Sequence, residues 1–314
     1  MKAAVIHQYG STEVLQLEEI EQPKNQPDQL LVKVHASSVN PVDWKIRKGM
    51  WRFITGNKFP MTLGFDVSGE VVEVGSQVTR FQPGDQIYAN LGFSGGAYAE
   101  WAAVPEKFAA LKPTNITYEQ AAAVPGAALT ALQAVRDQGQ IKPGQTVLIN
   151  GASGGVGSFA VQIAKVLGAE VTGVCSTRNL ELVKSLGADS VIDYTQQDFT
   201  QDTARYDIIF DAVAKQSFSI CKNVLKPNGV YVTTLPNNDY IVKSVLTALI
   251  PGKKAKLVFE KTNTQDLFYL KELIEAGKIH PMIDRTYPLQ EVAAAHAHSE
   301  TEHAVGKIVI TVAP

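Results

Sequence analysis

Thr146-Val-Leu-Ile-Asn-Gly-Ala-Ser-Gly-Gly-Val-Gly157 is the stretch on which the fold turns. An apolar run of strand length passes directly into a glycine-rich turn, and the chain behind it, Val156 to Leu167, reads as a helix. Ala152, Gly154 and Gly157 stand at the spacing of the dinucleotide-binding fingerprint, with alanine where the first glycine is usual. Physics asks for Gly154 because the backbone must come close to a pyrophosphate, and for Gly157 because helix and strand pack tightly there. The helix start adds free N–H groups and positive potential. Ala152, Ser153, Gly154, Gly155, Val156 and Gly157 are therefore candidate cofactor-binding residues.

Downstream, strands and helices alternate: Glu170 to Cys175, helix Asn179 to Leu186, Ser190 to Asp193, Asp207 to Asp211, helix Ser217 to Leu225, and Val230 to Thr234. That alternation predicts a parallel, doubly wound sheet, the context that the glycine motif requires. The strand after the motif ends in Val174-Cys-Ser-Thr-Arg178. Where an acid would hold an adenosine ribose, Ser176 and Thr177 offer hydroxyls and Arg178 a charge that can pair with a 2′-phosphate. This favours NADPH, the alternative being a solvated arginine in the first turn of a helix. Tyr194 can flank the adenine or sit half-buried as a core tyrosine.

Upstream, from Met1 to about Tyr118, the texture is short strands and turns. Leu30 to Ala36 alternates apolar residues, Val67 to Val74 is β-branched up to Gly75, and Phe81-Gln-Pro-Gly-Asp85 is a turn. The last stretch brings a helix near Gln265 to Ala276, a strand at Met282 to Tyr287, a short helix after Pro288 and a closing strand Lys307 to Val312. It is expected to return to the first domain.

The 314 residues carry 29 Lys and Arg against 31 Asp and Glu, a net charge of −2, with no block of like charge. A nucleic-acid backbone or an anionic membrane has little to hold. At 45% hydrophobic and 19% charged the chain is expected to be ordered, with a length that suits two domains. The apolar stretch Ala121 to Val135 is broken by Pro125, Gly126, Thr130 and Gln133, and the apolar start is too short for a secretory signal. The two cysteines, Cys175 and Cys221, suit a reducing, cytoplasmic setting and are too few for a disulfide framework.

With Ser38-Val-Asn-Pro-Val-Asp-Trp-Lys45, Gly64-Phe-Asp-Val-Ser-Gly-Glu-Val-Val-Glu-Val-Gly75, Phe81 to Asp85, Gly96-Ala-Tyr-Ala-Glu100, Gly151 to Gly157 and His303-Ala-Val-Gly-Lys-Ile-Val309, the whole chain resembles the medium-chain dehydrogenase/reductase superfamily. Its nearest likeness is to the zinc-free quinone oxidoreductase and enone reductase branch. The resemblance implies an α/β protein with a GroES-like, β-rich catalytic domain at 1–119 and 256–314. A Rossmann domain with a doubly wound parallel sheet would fill 120–255, with the active site in the cleft between them. It also implies NADPH as cofactor, Pro41 and Thr130 among the residues that hold it, a quinone or enone as substrate and a homodimer as a possible assembly.

Zinc-dependent relatives carry a cysteine near position 40 and a histidine followed by glutamate; here these positions are Asn40 and Phe65-Asp66, so no metal site is expected. His296, His298 and His303 form the one histidine-rich patch, read more simply as a helix end complementing its dipole and facing solvent. Without a Lewis acid, a conjugated acceptor that spreads incoming charge over itself is the easier substrate. The resemblance puts the segment from Asn40 to Lys45 beside the nicotinamide, and Asn40, Asp43 and Lys45 are the catalytic candidates. Asn40 can donate and accept, Lys45 can stabilise an enolate oxygen or relay a proton, and Asp43 can hold Lys45 if the segment is extended. On a helix the last two would point apart, leaving a solvated lysine and a capping aspartate. Trp44, Trp51, Phe53 and Phe93 are candidates for an apolar pocket or for core. An NADPH-binding regulatory or crystallin-like protein on the same scaffold is the competing reading.

Overall fold

The computed structural model describes residues 1–203, 205–235, 238–249 and 251–312, of which 238–242 and 249 are described by backbone alone. The chain divides into two compact units, 1–127 with 262–314, and 128–261.

In the first unit the long strand Gln29–Val39 is the hub. It pairs antiparallel with Asp66–Val74 on one side and with Lys307–Thr311 on the other, and its first half also pairs with Trp101–Pro105. The closing strand thus returns to the N-terminal sheet, as expected from sequence. Ser38 lies opposite Asp66, and Asp66 opposite Asn90 of Gln86–Asn90, so the register sets three polar residues side by side across three strands. Around them the sheet is apolar, with Val32, Val34, Val67, Ile87 and Ala89 buried in one cluster and Ile6, Ile46, Phe65, Ala295, Ile308 and Ile310 in another. Burying such side chains contributes about 1.5–3 kcal/mol each, which fixes the platform on which polar groups can be held.

In the second unit the strands run in the order Ser190–Asp193, Glu170–Cys175, Thr146–Asn150, Tyr206–Asp211, Leu225–Thr233 and Lys254–Leu257, all parallel among the described residues. Thr146–Asn150 is central and near-continuously apolar, as a strand covered on both faces must be. Helix Gly155–Val166 follows it, burying Phe159, Ala160, Val161, Ile163 and Ala164.

Three expectations need correction. The boundary at 255/256 falls inside strand Lys254–Leu257, which pairs with Leu225–Thr233 in the nucleotide sheet, and the boundary at 119/120 falls inside helix Tyr118–Ala122, which belongs to the first unit. A four-residue strand with two lysines carries almost no apolar signal, because an edge strand needs little. The helix expected over 217–225 is one turn, Phe218–Cys221, followed by a tighter turn to Val224. Pro227 disfavours helical backbone at residue 226, and Leu225 already begins the next strand. Between the extended and helical readings left open for the segment after Asn40, the structure has a helix, Pro41–Arg47.

Candidate functional site

The turn after Thr146–Asn150 is built for an anionic ligand. Helix Gly155–Val166 begins at Gly154, so the N–H groups of its first turn have no acceptor within the helix. Gly151 and Ala152 N–H both donate to the Val174 carbonyl, at 3.1 and 2.9 Å, tying the turn to the neighbouring strand. A Cβ on Gly157 would stand 2.0 Å from the Gly151 carbonyl oxygen, so helix and turn approach as closely as glycine permits. On Gly154 the same atom would meet only that oxygen, at 3.4 Å. Among the described residues no other atom comes within 4 Å of that position, which fits a pyrophosphate seated there. Ala152 is tolerated in place of the first glycine because Gly173 lies beneath it: a Cβ on Gly173 would come within 3.0 Å of the Ala152 Cβ.

Around this turn, Ser153 Oγ accepts from buried Asn179 Nδ2 at 3.0 Å, and Ser176 Oγ accepts from the same nitrogen at 3.3 Å, leaving both hydroxyl hydrogens to donate elsewhere. Thr177 differs from expectation. Its hydroxyl donates to Asp193 Oδ2 at 2.5 Å, and Thr195 Oγ1 and N donate to Asp193 Oδ1, holding that carboxyl below the ordinary range. Asp193 is a residue the sequence reading used only to end a strand; it lies in register with Cys175. Arg178 is exposed in the short turn Thr177–Asn179. Tyr194 N–H donates to the Cys175 carbonyl at 3.1 Å while the residue is 54% exposed, so it stands at the same strand tip as a solvent-facing ring and not as core. Val156 lies in the helix's first turn, and Thr130 is half-buried on helix Pro125–Leu132.

The first unit holds a buried polar cluster at the end of strand Gln29–Val39. Asp66 is fully buried and receives four hydrogen bonds. Ser38 Oγ and Asn40 Nδ2 donate to its Oδ2 at 2.6 and 2.8 Å, while Asn90 Nδ2 and Gly126 N–H donate to its Oδ1 at 3.1 and 2.8 Å. Lys307, 4% exposed, reaches in from the adjacent strand. Its Nζ lies 3.7 Å from Asp66 Oδ2 and donates to Asn40 Oδ1 at 2.6 Å and to the Val39 carbonyl at 3.1 Å. Burial lowers the pKa of this ammonium, against the pull of Asp66 and Asp43. The sequence signal was present but unused: a lysine and an aspartate each standing within an otherwise apolar strand.

Asp43 belongs to this cluster and not to Lys45. Completely buried, it accepts from Asn40 N–H at 2.7 Å and from Gly64 N–H at 3.1 Å, closing the start of helix Pro41–Arg47 behind Pro41. Burial, reinforced by Asp66, raises its pKa to about 7. Lys45 sits two positions along that helix and points elsewhere, its Nζ 5.2 Å from the Trp44 ring centre. Partial burial lowers the Lys45 pKa, opposed by Glu302. The expected Asp43–Lys45 pairing is therefore absent because the segment is helical.

Of the four aromatic candidates, Trp51 and Phe93 stack at 5.8 Å between ring centres, with the edge of Phe65 at 6.3 Å from Phe93. Trp44 is core at 8% exposure, and Phe53 is 90% exposed on the surface. The histidine patch is not a unit. His296 is fully buried, its Nε2 3.3 Å from Tyr98 Oη, and burial with the nearby Arg47 charge lowers its pKa to about 3, so it neither faces solvent nor complements a dipole as a cation. His298 instead meets Tyr287 Oη and Asp284, and His303 is exposed.

The sequence family described as alcohol dehydrogenase GroES-like domain matches residues 26–114, and the one described as zinc-binding dehydrogenase matches residues 186–310. The residues present do not fit the zinc in that description. Asn40 has its amide committed to Lys307 and Asp66, Phe65 offers no donor atom, and Asp66 is occupied by four hydrogen bonds with an ammonium beside it. The chain is 37% identical over 94% of its length to the chloroplast envelope quinone oxidoreductase homologue of Arabidopsis thaliana, covering 93% of that protein. It is 38% identical over 99% of its length to the chloroplastic NADPH-dependent alkenal/one oxidoreductase of the same plant, covering 79% of it. Among solved structures, the quinone oxidoreductase of Coxiella burnetii superposes with a TM-score of 0.91 at 34% identity, over 100% of this chain and 99% of that one. An intact dinucleotide turn, a GroES-like sheet closed by the C-terminal strand and this likeness along the full length lead to one conclusion: the chain belongs to the medium-chain dehydrogenase/reductase superfamily, in its quinone oxidoreductase and enone reductase branch.

Proposed function

We propose that the protein is a zinc-independent NADPH-dependent oxidoreductase that reduces quinones or the C=C bond of α,β-unsaturated carbonyls. The observation that carries this reading is that Asn40, where a zinc-binding cysteine would stand, has its amide held between Asp66 and Lys307, while Phe65 stands where the histidine would. A simple ketone needs its oxygen polarised as charge builds, a task for a Lewis acid. A quinone or enone delocalises that charge, so hydrogen-bond donors and a dry pocket suffice. When bound, NADPH supplies the hydride. Gly154 to Gly157 hold its pyrophosphate with backbone N–H groups, Ser176 and Arg178 receive the 2′-phosphate, and Tyr194 covers the adenine. The stacked pair Trp51 and Phe93 supplies an apolar wall for a conjugated substrate. Lys45 donates to the oxygen on which charge accumulates. Asp43, sealed from solvent, serves by fixing the Asn40 end of the helix.

NADPH oxidation by the purified, chelator-treated protein should depend on a quinone or a short enone and survive loss of all metal. Substrate-independent inactivity across both classes would favour the cofactor-binding, non-catalytic reading instead. Replacing Arg178 by alanine is expected to raise the KM for NADPH at least fivefold and leave that for NADH within twofold. Equal effects on both would make Arg178 a surface residue. Lys45→Ala is expected to lower kcat on an enone at least tenfold with the KM for NADPH within a few-fold, since one charge-stabilising donor is worth about 2.7–4 kcal/mol. Unchanged turnover would remove Lys45 from the chemistry. A cytoplasmic location and a homodimer complete the proposal. Two buried, unbridged cysteines accord with the first, and sedimentation would decide the second. Among the described residues no helix is long and apolar enough to cross a membrane.

A further inference from the structure

We propose that Lys307 is the positioning residue of this site: it fixes which way the Asn40 amide faces, and so keeps an Nδ2 hydrogen available to donate to substrate. The inference rests on the functional reading above and names a residue that reading does not require. An asparagine amide has one accepting oxygen and two donating hydrogens, and its two ends are interchangeable in shape. At Asn40 the neighbours remove that freedom. Asp66, on one side, can only accept, and takes a hydrogen from Nδ2 at 2.8 Å. Lys307, on the other, can only donate, and gives one to Oδ1 at 2.6 Å. Turning the amide over would set its NH₂ against an ammonium and its oxygen against a carboxylate, two buried clashes in place of two charge-assisted bonds.

Lys307 is itself held. Its second bond goes to the Val39 carbonyl, one residue before Asn40, at 3.1 Å. Strand pairing of Ile308 with Val39 sets that distance, so the lysine's place is dictated by the sheet and not by side-chain chance. With one lone pair of Oδ1 engaged by the Lys307 ammonium and one Nδ2 hydrogen given to Asp66, a second amide hydrogen remains on a half-buried residue. Its partner must be an oxygen: the carbonyl or quinone oxygen of a substrate, whose charge grows as hydride arrives.

Lys307 also neutralises Asp66, and removing one member of a buried pair strands the other's charge, so Lys307→Met alone would confound folding with function. The double variant Asp66→Asn with Lys307→Met removes both charges and leaves Asn40 facing a neutral amide that accepts either orientation. Because an amide at position 66 can accept at only one of its two ends, two of the four donors there lose their acceptor, and the variant's thermal stability is expected to stay below the parent's. Its kcat on an enone is expected to remain at least tenfold low while the KM for NADPH stays within threefold. Parent-like kcat in the double variant would overturn the proposal and reduce Lys307 to a counter-ion. A second readout needs no variant: in the parent, the two Asn40 carboxamide protons should be resolved by NMR, the one given to Asp66 exchanging far more slowly. Fast, equal exchange of both would overturn the proposal whatever the variants do. If the parent turns over neither quinones nor enones, the functional reading falls, while the carboxamide protons still decide whether Lys307 fixes Asn40.

Discussion

Gly157→Val is expected to abolish NADPH binding and to destabilise the second unit, the largest effect of any single change considered. The three atoms that its Cβ would meet are all backbone: Gly151 O at 2.0 Å, Gly151 C at 2.7 Å and Ala152 Cα at 2.9 Å. None can rotate away, so the turn itself must move, and overpacking a fitted contact typically costs about 1–3 kcal/mol, more where backbone is displaced. Gly154→Ala gives the contrasting case. Its Cβ touches protein only at 3.4 Å, and its φ of −80° suits any residue, so thermal stability should hold within about 2 °C. The KM for NADPH should nonetheless rise at least tenfold, because the methyl stands where the pyrophosphate comes. Calorimetry and kinetics on the two variants check this together. Normal NADPH affinity in Gly154→Ala would place the phosphates elsewhere.

The second large effect is on acid stability and comes from His296. Its folded pKa, about 3, lies below the 6.5 of an unfolded chain. The unfolded state therefore takes up a proton first as pH falls, and the stability that neutral His296 contributes is complete above pH 6.5 and lost progressively toward pH 3. Between pH 6.5 and 4 this amounts to about 3 kcal/mol. Asp43 acts in the opposite sense: with a folded pKa raised to about 7, its contribution is complete below about 3.8 and lost as pH rises through 7. Tyr98 faces His296 with its pKa raised far out of this window. Comparing denaturant unfolding of the parent and His296→Gln at pH 7 and pH 4 cancels the Asp43 contribution. The variant should lose about 3 kcal/mol less on acidification. An equal loss in both proteins would mean that His296 is protonated in the fold.

The nucleotide unit was legible because its signals are local. The bounds of Thr146–Asn150, Glu170–Cys175 and Ser190–Asp193 follow from apolar runs cut by turn residues, and the glycine spacing states its own requirement. What stayed hidden depends on register between distant strands. No local pattern brings Lys307 beside Asn40, 267 positions away, or sets Ser38, Asp66 and Asn90 in a row; antiparallel pairing does. Asp43 and Lys45 illustrate the limit in the other direction. Two residues apart they share a face of a strand and oppose each other on a helix, and the choice was made by Pro41 opening a helix and Asp43 closing its first turn. Asp193 takes the Thr177 hydroxyl because parallel pairing sets it in register with Cys175 one strand further on, a juxtaposition that no local pattern announces.

Hydride delivery to a conjugated acceptor without a metal Lewis acid shows in where an isotopic label ends up. With NADPH deuterated at the transferable position, chelator-treated protein and an acyclic enone, the expected product is a saturated ketone with deuterium on the β-carbon and a solvent-derived hydrogen on the α-carbon. Deuterium on the carbinol carbon of an unsaturated alcohol, or transfer that appears only when zinc is restored, would contradict it.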